Sequence, residues 1–302
     1  MKPPTDLLHK GDAVEEWLDL RCFRPLGARL VRWLAPTRVT PDQVTGAALL
    51  LGLAAGHLFF YPSALLNALG LALFLCSEVL DSADGQLARL RGSATRFGAV
   101  LDGISDNVRF LNLYVHLLAR ALLHSGLPPT LLVVLALLAG ASHALQSSIV
   151  DFLKQVFVFV TTGSARLDLP EDLAGERPAT IADRLILALY RPYVTRQARW
   201  CPRSALVVRE IRRGAAPATL PSAWARAQAG VLASLTLIAQ NIRFLLLAVT
   251  ALPGWPEGFF WLTVGPLNLA LAWILLSHER TAARLARSSA RAAELLPAAD
   301  AP

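Results

Sequence analysis

Six long apolar stretches constrain what this chain of 302 residues can fold into. A membrane-spanning helix needs about 20 mainly apolar residues, because the hydrocarbon core of a bilayer is about 30 Å thick. The stretches of suitable length are residues 44–61, 63–80, 97–123, 130–150, 230–252 and 259–277. Only 17% of the residues are charged, whereas soluble domains carry about 25%. The sequence therefore predicts an all-α polytopic membrane protein with six transmembrane helices.

Lys and Arg residues fall on one side of this predicted topology. The connections that contain neither Lys nor Arg are Pro62, residues 124–129 and residues 253–258. The basic segments are residues 1–42, the loop around Arg89, the stretch 151–224 and the tail from His278. Because basic residues are retained in the cytoplasm, we expect the basic segments and both termini on that side. The net charge of +7 then needs no nucleic acid to explain it.

Five segments follow from this topology. They are a cytoplasmic N-terminal segment 1–42, four transmembrane helices in 43–152, a cytoplasmic insertion 153–224, two transmembrane helices in 225–278, and a basic cytoplasmic tail 279–302. Within the first segment, apolar residues recur at three- and four-residue steps over 14–33, which predicts an amphipathic helix beneath the cytoplasmic leaflet. Pro25 is expected to bend it. Within the insertion, residues 180–199 are predicted as a helix interrupted at Pro192.

Four aspartates gather near the turn between the second and third predicted spans. Asp81 and Asp84 end one span, and Asp102 and Asp106 begin the next. Residues three or four apart share one face of a helix, so a hairpin of these spans brings four carboxylates to one membrane depth. Ionisable groups at such a depth are costly, and clustered carboxylates stay ionised only if cations compensate them.

Carboxylate-only ligation favours Mg²⁺ or Mn²⁺ over zinc. Gly85, Gly98 and Gly103 leave room for a ligand close to the backbone. Together these residues indicate two divalent cations that hold a diphosphate. The alternative is a purely structural ion-pair network with the nearby arginines, which are Arg89, Arg91, Arg96 and Arg109.

A known family signature has the same spacing. The chain resembles the CDP-alcohol phosphotransferases at every fixed position of the pattern Asp81-x2-Asp84-Gly85-x2-Ala88-Arg89-x8-Gly98-x3-Asp102-x3-Asp106. The start of the first span, residues 40–45, is similar to the family's Pro-Asn-x-Val-Thr, with Asp42 in place of Asn. The resemblance covers residues 20–155, and the last two spans match by topology alone.

The resemblance implies a reaction. Members move a phospho-alcohol unit from a CDP-linked donor to a hydroxyl acceptor and release CMP. It implies that Asp106 is the general base and that two Mg²⁺ or Mn²⁺ ions are held by the aspartates Asp81, Asp84, Asp102 and Asp106. The residues implied to bind the CDP donor are Asp81, Asp84, Gly85, Ala88, Arg89 and Gly98. It also implies a homodimer in a bacterial-type inner membrane, with the active site facing the cytoplasm.

Three basic residues are candidates for binding the acceptor. Lys154 and Arg226 lie at the cytoplasmic ends of the fourth and fifth predicted spans, where positive-inside anchoring is the alternative. Arg243 lies within the fifth predicted span. There, binding of an anionic substrate and pairing with Glu78 are the two alternatives.

The identity of the donor stays open at this point. CDP-diacylglycerol, used in phospholipid synthesis, is favoured. A soluble donor such as CDP-ethanolamine or CDP-inositol, with diacylglycerol or an inositol phosphate as acceptor, is the alternative. A divalent-cation transporter is a different class of function, but the later spans hold no counterpart of the acidic cluster, as matched halves of a transporter would.

Overall fold

The computed structural model describes residues 16–93, 96–163, 167–178 and 180–295. It is 84% helical, and no strand occurs in the described ranges. This confirms the all-α prediction.

The α-helices are connected by short turns. In chain order they are α1 (Arg24–Leu34), α2 (Pro41–Leu58), α3 (Ala64–Leu90), α4 (Arg96–His124), α5 (Pro129–Thr162), α6 (Pro170–Ala174), α7 (Ile181–Trp200), α8 (Pro202–Arg212), α9 (Leu220–Ser234), α10 (Gln240–Ala251), α11 (Pro256–Val264) and α12 (Pro266–Leu295). A π-helical turn at Asp19–Phe23 precedes α1, and a 3-10 turn at Leu235–Leu237 links α9 to α10.

Within the described ranges, four helical segments are long and apolar enough to cross a membrane. They are Ala64–Leu90, Pro129–Thr162, Leu220–Ala251 and Pro256–Arg287, each with a mean hydropathy of 1.7 or 1.8. The predicted spans 44–61 and 97–123 also lie on helices, α2 and α4. Polar residues in the first turn of α2 and charges along α4 lower the hydropathy of both. The chain is therefore a polytopic membrane protein, while crossing by α2 and α4 stays a prediction.

The predicted amphipathic helix at the N-terminus begins with the π-helical turn and continues as α1. Pro25 lies just after the end of the π-helical turn, within a helical stretch that continues from the turn into α1. The bend expected at Pro25 stays a prediction. Phe23 and Val31 are buried, whereas Trp33 is exposed. This arrangement suits an interfacial helix, whose position at the leaflet stays a prediction.

The described residues belong to two compact units. The first unit is Met1–Ala144 with Gln240–Leu267, and the second is Leu145–Ala239 with Asn268–Pro302. In the first unit, α2 packs against α3 and α4, and α1 packs against α3. The core of this unit is aromatic and aliphatic, and its fully buried side chains include Phe59, Phe74, Leu113, Leu117 and Phe259.

Glycines set the close approach of α2 to α4. A Cβ atom on Gly52 would lie 2.4 Å from Cδ of Arg109, and a Cβ on Gly56 would lie 2.3 Å from Nδ2 of Asn112. Small residues let membrane helices approach closely. The missing side chain at Gly52 therefore makes space for the stem of a buried arginine.

The second unit contains most of the predicted insertion. Helix α7 starts at a capping box, in which Thr180 and Asp183 bond to each other's backbone N–H groups. It runs without a break from Ile181 to Trp200 and contains Pro192. The predicted interruption at Pro192 is therefore wrong, because contacts on both sides of the proline hold the helix together. Tyr190 donates to Asp168, and Gln197 donates to the carbonyl of Ser148.

Candidate active site

The site lies between the last turns of α3 and the first turns of α4. The turn that joins them contains Gly92. Its φ of +64° lies in the left-handed region, which glycine adopts without steric strain. Next to it, Arg91 donates hydrogen bonds to the carbonyls of Leu34, Thr37 and Val39. This arginine therefore ties the end of α3 to the connection between α1 and α2, and its described bonds go to backbone rather than to the aspartates.

Three of the four aspartates converge. Asp81, Asp84 and Asp102 each offer a carboxylate oxygen, and these oxygens lie within 4.8 Å of one another. Asp84 is buried, while Asp81 and Asp102 are half-buried. A buried cluster of hard oxygen donors fits a divalent cation such as Mg²⁺ or Mn²⁺. The hairpin geometry predicted from the spacing is thus present, and ligation by these residues stays a prediction.

Thr45 of α2 contacts this cluster. Its hydroxyl donates to Oδ2 of Asp84 over 2.5 Å. Helix α2 starts with a capping box in which Thr40 and Gln43 bond each other's backbone N–H groups. This start places Thr45 one turn into the helix, so the hexapeptide that resembles the family motif fixes the orientation of a cluster carboxylate.

Arg109 neutralises the other side of the cluster. Its side chain is fully buried, and Nη2 donates to Asp81 over 2.8 Å and to Asp106. Its Nη1 donates to Oγ of Ser77 over 2.6 Å and to Glu78 over 3.1 Å. One guanidinium therefore faces three carboxylates. When all three carboxylates are ionised, this part of the cluster carries a net negative charge, which favours bound cations.

Glu78 is a further acidic member of the cluster. Besides Arg109, it accepts a hydrogen bond of 2.7 Å from Nε2 of Gln240, which begins α10. The carboxylate of Glu78 on α3 is thus also bound by a side chain of α10, which is distant in the sequence. Glu78 fits the alternative of a structural ion-pair network, because its described partners, Arg109 and Gln240, are protein side chains.

The small residues of the signature extend the carboxylate face of α3. Gly85 and Ala88 follow Asp81 at four and seven residues, which places them on the same face. A Cβ atom on Gly85 would lie 3.5 Å from Nη1 of Arg89. Gly85, Ala88 and Arg89 are half-buried on α3, and Gly98 is half-buried on α4. Their predicted contact with a CDP donor is compatible with this arrangement.

The three candidates for acceptor binding belong to two different units. Arg243 is fully buried on α10 of the first unit. Glu78 bonds Arg109 and Gln240, and the alternative in which Arg243 pairs with Glu78 stays a prediction. Lys154 is half-buried on α5 and Arg226 is exposed on α9, both in the second unit. Acceptor binding by all three stays a prediction.

Sequence reasoning missed Thr45, Ser77 and Gln240 as members of this network. Thr45 stands within a motif that the sequence did single out, so its polarity one turn into a membrane helix was the available signal. Gln240 was visible as a polar residue in an apolar stretch, but nothing in its spacing points to Glu78.

Comparison with known proteins places the site in a family. Residues 38–155 match the sequence model of the CDP-alcohol phosphatidyltransferases. An archaetidylinositol phosphate synthase of Pyrococcus horikoshii is 34% identical over 80 residues, which is 26% of this chain and 41% of that protein. A phosphatidylinositol phosphate synthase of Mycobacterium bovis is 36% identical over 95 residues, which is 30% of this chain and 42% of that protein.

A phosphatidylinositol phosphate synthase of Mycobacteroides abscessus is 40% identical over 87 residues, which is 28% of this chain and 36% of that protein. The chain thus spans about two fifths of the length of the curated relatives it matches. The matched range 38–155 contains the four aspartates, Thr45, Glu78 and Arg109. Residues 38–155 of this chain thus match the CDP-alcohol phosphatidyltransferase family over the segment that holds the site.

Proposed function

We propose that this chain transfers a phosphatidyl group from CDP-diacylglycerol to a hydroxyl acceptor and releases CMP, as a step of phospholipid synthesis. The observation that carries the proposal is the convergence of Asp81, Asp84 and Asp102 within a matched family domain. A diphosphate repels an approaching oxygen, so its charge must be neutralised where the reaction occurs.

The three converging aspartates, with Asp106 as a further candidate ligand, would hold two divalent cations. When bound, Mg²⁺ or Mn²⁺ would neutralise the diphosphate and stabilise the leaving phosphate. The fit rests on the donor set, which is all carboxylate and has one buried member, Asp84.

The chain's own residues handle the proton and the orientation. Asp106 accepts the proton of the acceptor hydroxyl, whose oxygen forms a bond to the phosphorus that carries the diacylglycerol. The bond from that phosphorus to the bridging oxygen breaks, and CMP leaves with the electron pair. Arg109 holds Asp106 and Asp81 through one nitrogen, so it fixes the base relative to the carboxylate cluster.

The donor is bound along the α3 face. Gly85 and Ala88 leave space for the cytidine moiety, and Arg89 contacts the donor near its phosphates, where a planar guanidinium is suited to bind two oxygens. The Arg89 guanidinium lies beside Gly85, which supports a single binding region for nucleoside and phosphate.

The names of the matched relatives bear on the acceptor. They are synthases of phosphatidylinositol phosphate and archaetidylinositol phosphate, so an inositol phosphate is the first acceptor we propose. An anionic acceptor would suit the basic residues Lys154, Arg226 and Arg243. The chain would act as a homodimer in an inner membrane, with both termini and the site in the cytoplasm.

The deciding experiment measures CMP release by the purified protein with Mg²⁺ and CDP-diacylglycerol. Inositol phosphate, glycerol phosphate and serine are supplied in turn, and the series is repeated with CDP-ethanolamine and CDP-inositol. We expect CMP with CDP-diacylglycerol and inositol phosphate. Release only with a soluble donor would favour the alternative donor class, and silence with every donor would contradict the proposed reaction.

Metal removal is a separate prediction. EDTA should abolish CMP release, and added Mg²⁺ or Mn²⁺ should restore it, because the carboxylate cluster needs cations to bind a diphosphate. Full activity after exhaustive chelation would refute the metal assignment. Mn²⁺ uptake into proteoliposomes tests the transporter alternative, and we expect none.

A further inference from the structure

The exposed face of α7 combines apolar and basic side chains, and the proposed reaction does not use it. Its apolar members are Ile181, Leu185, Leu189 and Trp200, which are exposed by 86, 63, 52 and 48%. Its basic members, also exposed, are Arg184, Arg191, Arg196 and Arg199. We call these eight residues the α7 face. An exposed apolar stripe flanked by arginines is typical of a helix that lies on a membrane surface.

The opposite side of α7 is anchored within its own unit. Leu187, Val194 and Gln197 are buried. Tyr193 donates to Asp151 over 3.0 Å, and Gln197 donates to the carbonyl of Ser148 over 2.9 Å. The helix is thus held through its buried side. Arg191, at the edge of the α7 face, donates to the carbonyls of Leu173 and Glu176, and the other members of the face are exposed.

These anchors locate α7 relative to the bilayer. Helix α5 has 34 residues, about 51 Å at 1.5 Å per residue, which exceeds the hydrocarbon thickness of about 30 Å. From Pro129 onward, the first charged residue of α5 is Asp151. A span of about 20 residues from Pro129 therefore ends near Asp151, the residue that Tyr193 contacts. The C-terminal half of α7 accordingly lies at the level where α5 leaves the membrane.

The residues at this level suit phospholipid headgroups. An open cavity of about 940 Å³ is lined by Arg191, Pro192, Thr195, Arg196, Arg199 and Trp200. Guanidinium groups bind phosphate oxygens through paired donors, and Trp prefers the headgroup region. The guanidinium of Arg196 also lies 5.8 Å from the ring centre of Tyr193, which positions it beside the anchor to α5.

We propose that the α7 face binds the surface of the membrane that the chain spans. Arg196 and Arg199 contact anionic phospholipid headgroups, and Leu185 and Leu189 insert between the headgroups and the hydrocarbon. This inference does not rest on the proposed reaction. It assigns a function to part of the insertion, namely docking on the membrane beside the span from which it emerges.

The first test measures lipid binding by native mass spectrometry of the full-length protein, titrated with phosphatidylglycerol or phosphatidylcholine. The double variant R196Q/R199Q should bind phosphatidylglycerol about 30-fold more weakly, because each Arg near an anionic surface contributes a factor of about five. Phosphatidylcholine binding should not change. The matched control is R203Q/R213Q, which removes two exposed arginines of α8 and its C-terminal end. An equal loss in both double variants would overturn the proposal.

The second test measures depth with a nitroxide on Leu189→Cys, and with one on Leu206→Cys as the exposed control on α8. The background replaces Cys22 and Cys76 by Ser. Cys201 can stay, because it is buried and burial raises the pKa of its thiol, with nearby Glu279 raising it further. In nanodiscs that contain phosphatidylglycerol, the label at 189 should collide more with oxygen than with an aqueous nickel chelate, and the label at 206 should do the opposite.

Preferential collision of the 189 label with the nickel chelate would overturn membrane docking. Shielding from both reagents would also overturn it, because the face would then be covered by protein. This readout is made on a variant with all arginines intact, so it remains decisive if R196Q/R199Q fails to fold.

Discussion

At the scale of residues, the cluster separates two kinds of carboxylate. Asp84 and Asp102 converge with Asp81 as a group suited to a cation, whereas Asp106 shares Nη2 of Arg109 with Asp81. Asp81 thus belongs to both sets and connects them. An oriented carboxylate next to a group suited to a cation is a candidate general base.

Asp106→Asn should lower the rate of CMP release by about 10²- to 10⁴-fold, because the amide cannot accept the proton. Binding of the CDP donor in the presence of Mn²⁺, measured by calorimetry, should persist. Asp42→Asn is the matched control, since Asp42 is an exposed carboxylate in the first turn of α2. Normal turnover in the Asp106 variant would remove its role as base.

Thr45→Val should weaken Mn²⁺ binding by about 10- to 100-fold, the range for residues that orient a metal ligand through a hydrogen bond. The hydroxyl holds Asp84 over 2.5 Å, and valine keeps the shape without the donor. Thr45→Ser should restore most of the affinity. Electron paramagnetic resonance of free Mn²⁺ measures both, and equal affinities in the valine variant and the parent would contradict the orienting role.

The convergence of Asp81, Asp84 and Asp102 could be predicted because these residues lie on neighbouring helices, and helical spacing determines which residues share a face. Glu78, Arg109 and Gln240 form a network across three helices, and that network depends on how the helices are rotated about their axes. Hydropathy indicates the depth of a residue in the membrane but not the direction in which it points. The pairing suggested for Arg243 and Glu78, which belong to one compact unit, depends on the same rotation and stays a prediction.

At the scale of elements, the packing of α2 on α4 controls the site. Gly52 lies against the stem of Arg109, whose guanidinium is held by carboxylates and by Ser77. The arginine therefore has little freedom to move away from a larger residue. Helix α2 is thus part of the site although it carries none of the four aspartates.

Gly52→Ala should destabilise the protein by about 1–3 kcal/mol, the usual cost of overpacking, and should lower CMP release because Arg109 is displaced. Gly46→Ala is the control on the same helix, since no atom lies within 4 Å of its Cβ position. It should be neutral or stabilising by up to about 1 kcal/mol. Thermal unfolding in detergent compares the two, and equal midpoints would contradict the packing argument.

Pro192 shows where a local rule fails at this scale. Proline removes a helical hydrogen bond and usually kinks the chain, yet α7 continues to Trp200. Tyr190, Tyr193 and Gln197 anchor the helix around the proline. These anchors come from residues distant in sequence, so no pattern within α7 could indicate them.

At the scale of the whole molecule, the number of crossings depends on α2 and α4. Both are helical, but their mean hydropathy is lower than that of the four described segments that are apolar enough to cross a membrane. The six-span topology requires α4 to cross. Its charged residues do not exclude a crossing, since Arg109 is fully buried among carboxylates and Arg120 is buried against the carbonyls of Phe59 and Ala251.

Labelling with a membrane-impermeant maleimide tests this topology. In a background without Cys22 and Cys76, Ser93→Cys and Leu127→Cys flank α4 and are exposed. In intact cells, Leu127→Cys should react, and Ser93→Cys should react only after lysis, because the basic segments are predicted to be cytoplasmic. Reaction of both positions from one side would show that α4 does not cross.

The contact between Gly52 and Arg109 also has a consequence for the history of the family. Because any side chain at position 52 would occupy the volume of the arginine stem, a larger residue at position 52 requires a shorter one at position 109. Homologues that carry alanine or serine at position 52 should carry a shorter residue at position 109 and a different cation opposite Asp81 and Asp106. The two positions are thus expected to vary as a pair, and a set of diverse relatives would reveal the packing of α2 on α4 without a structure.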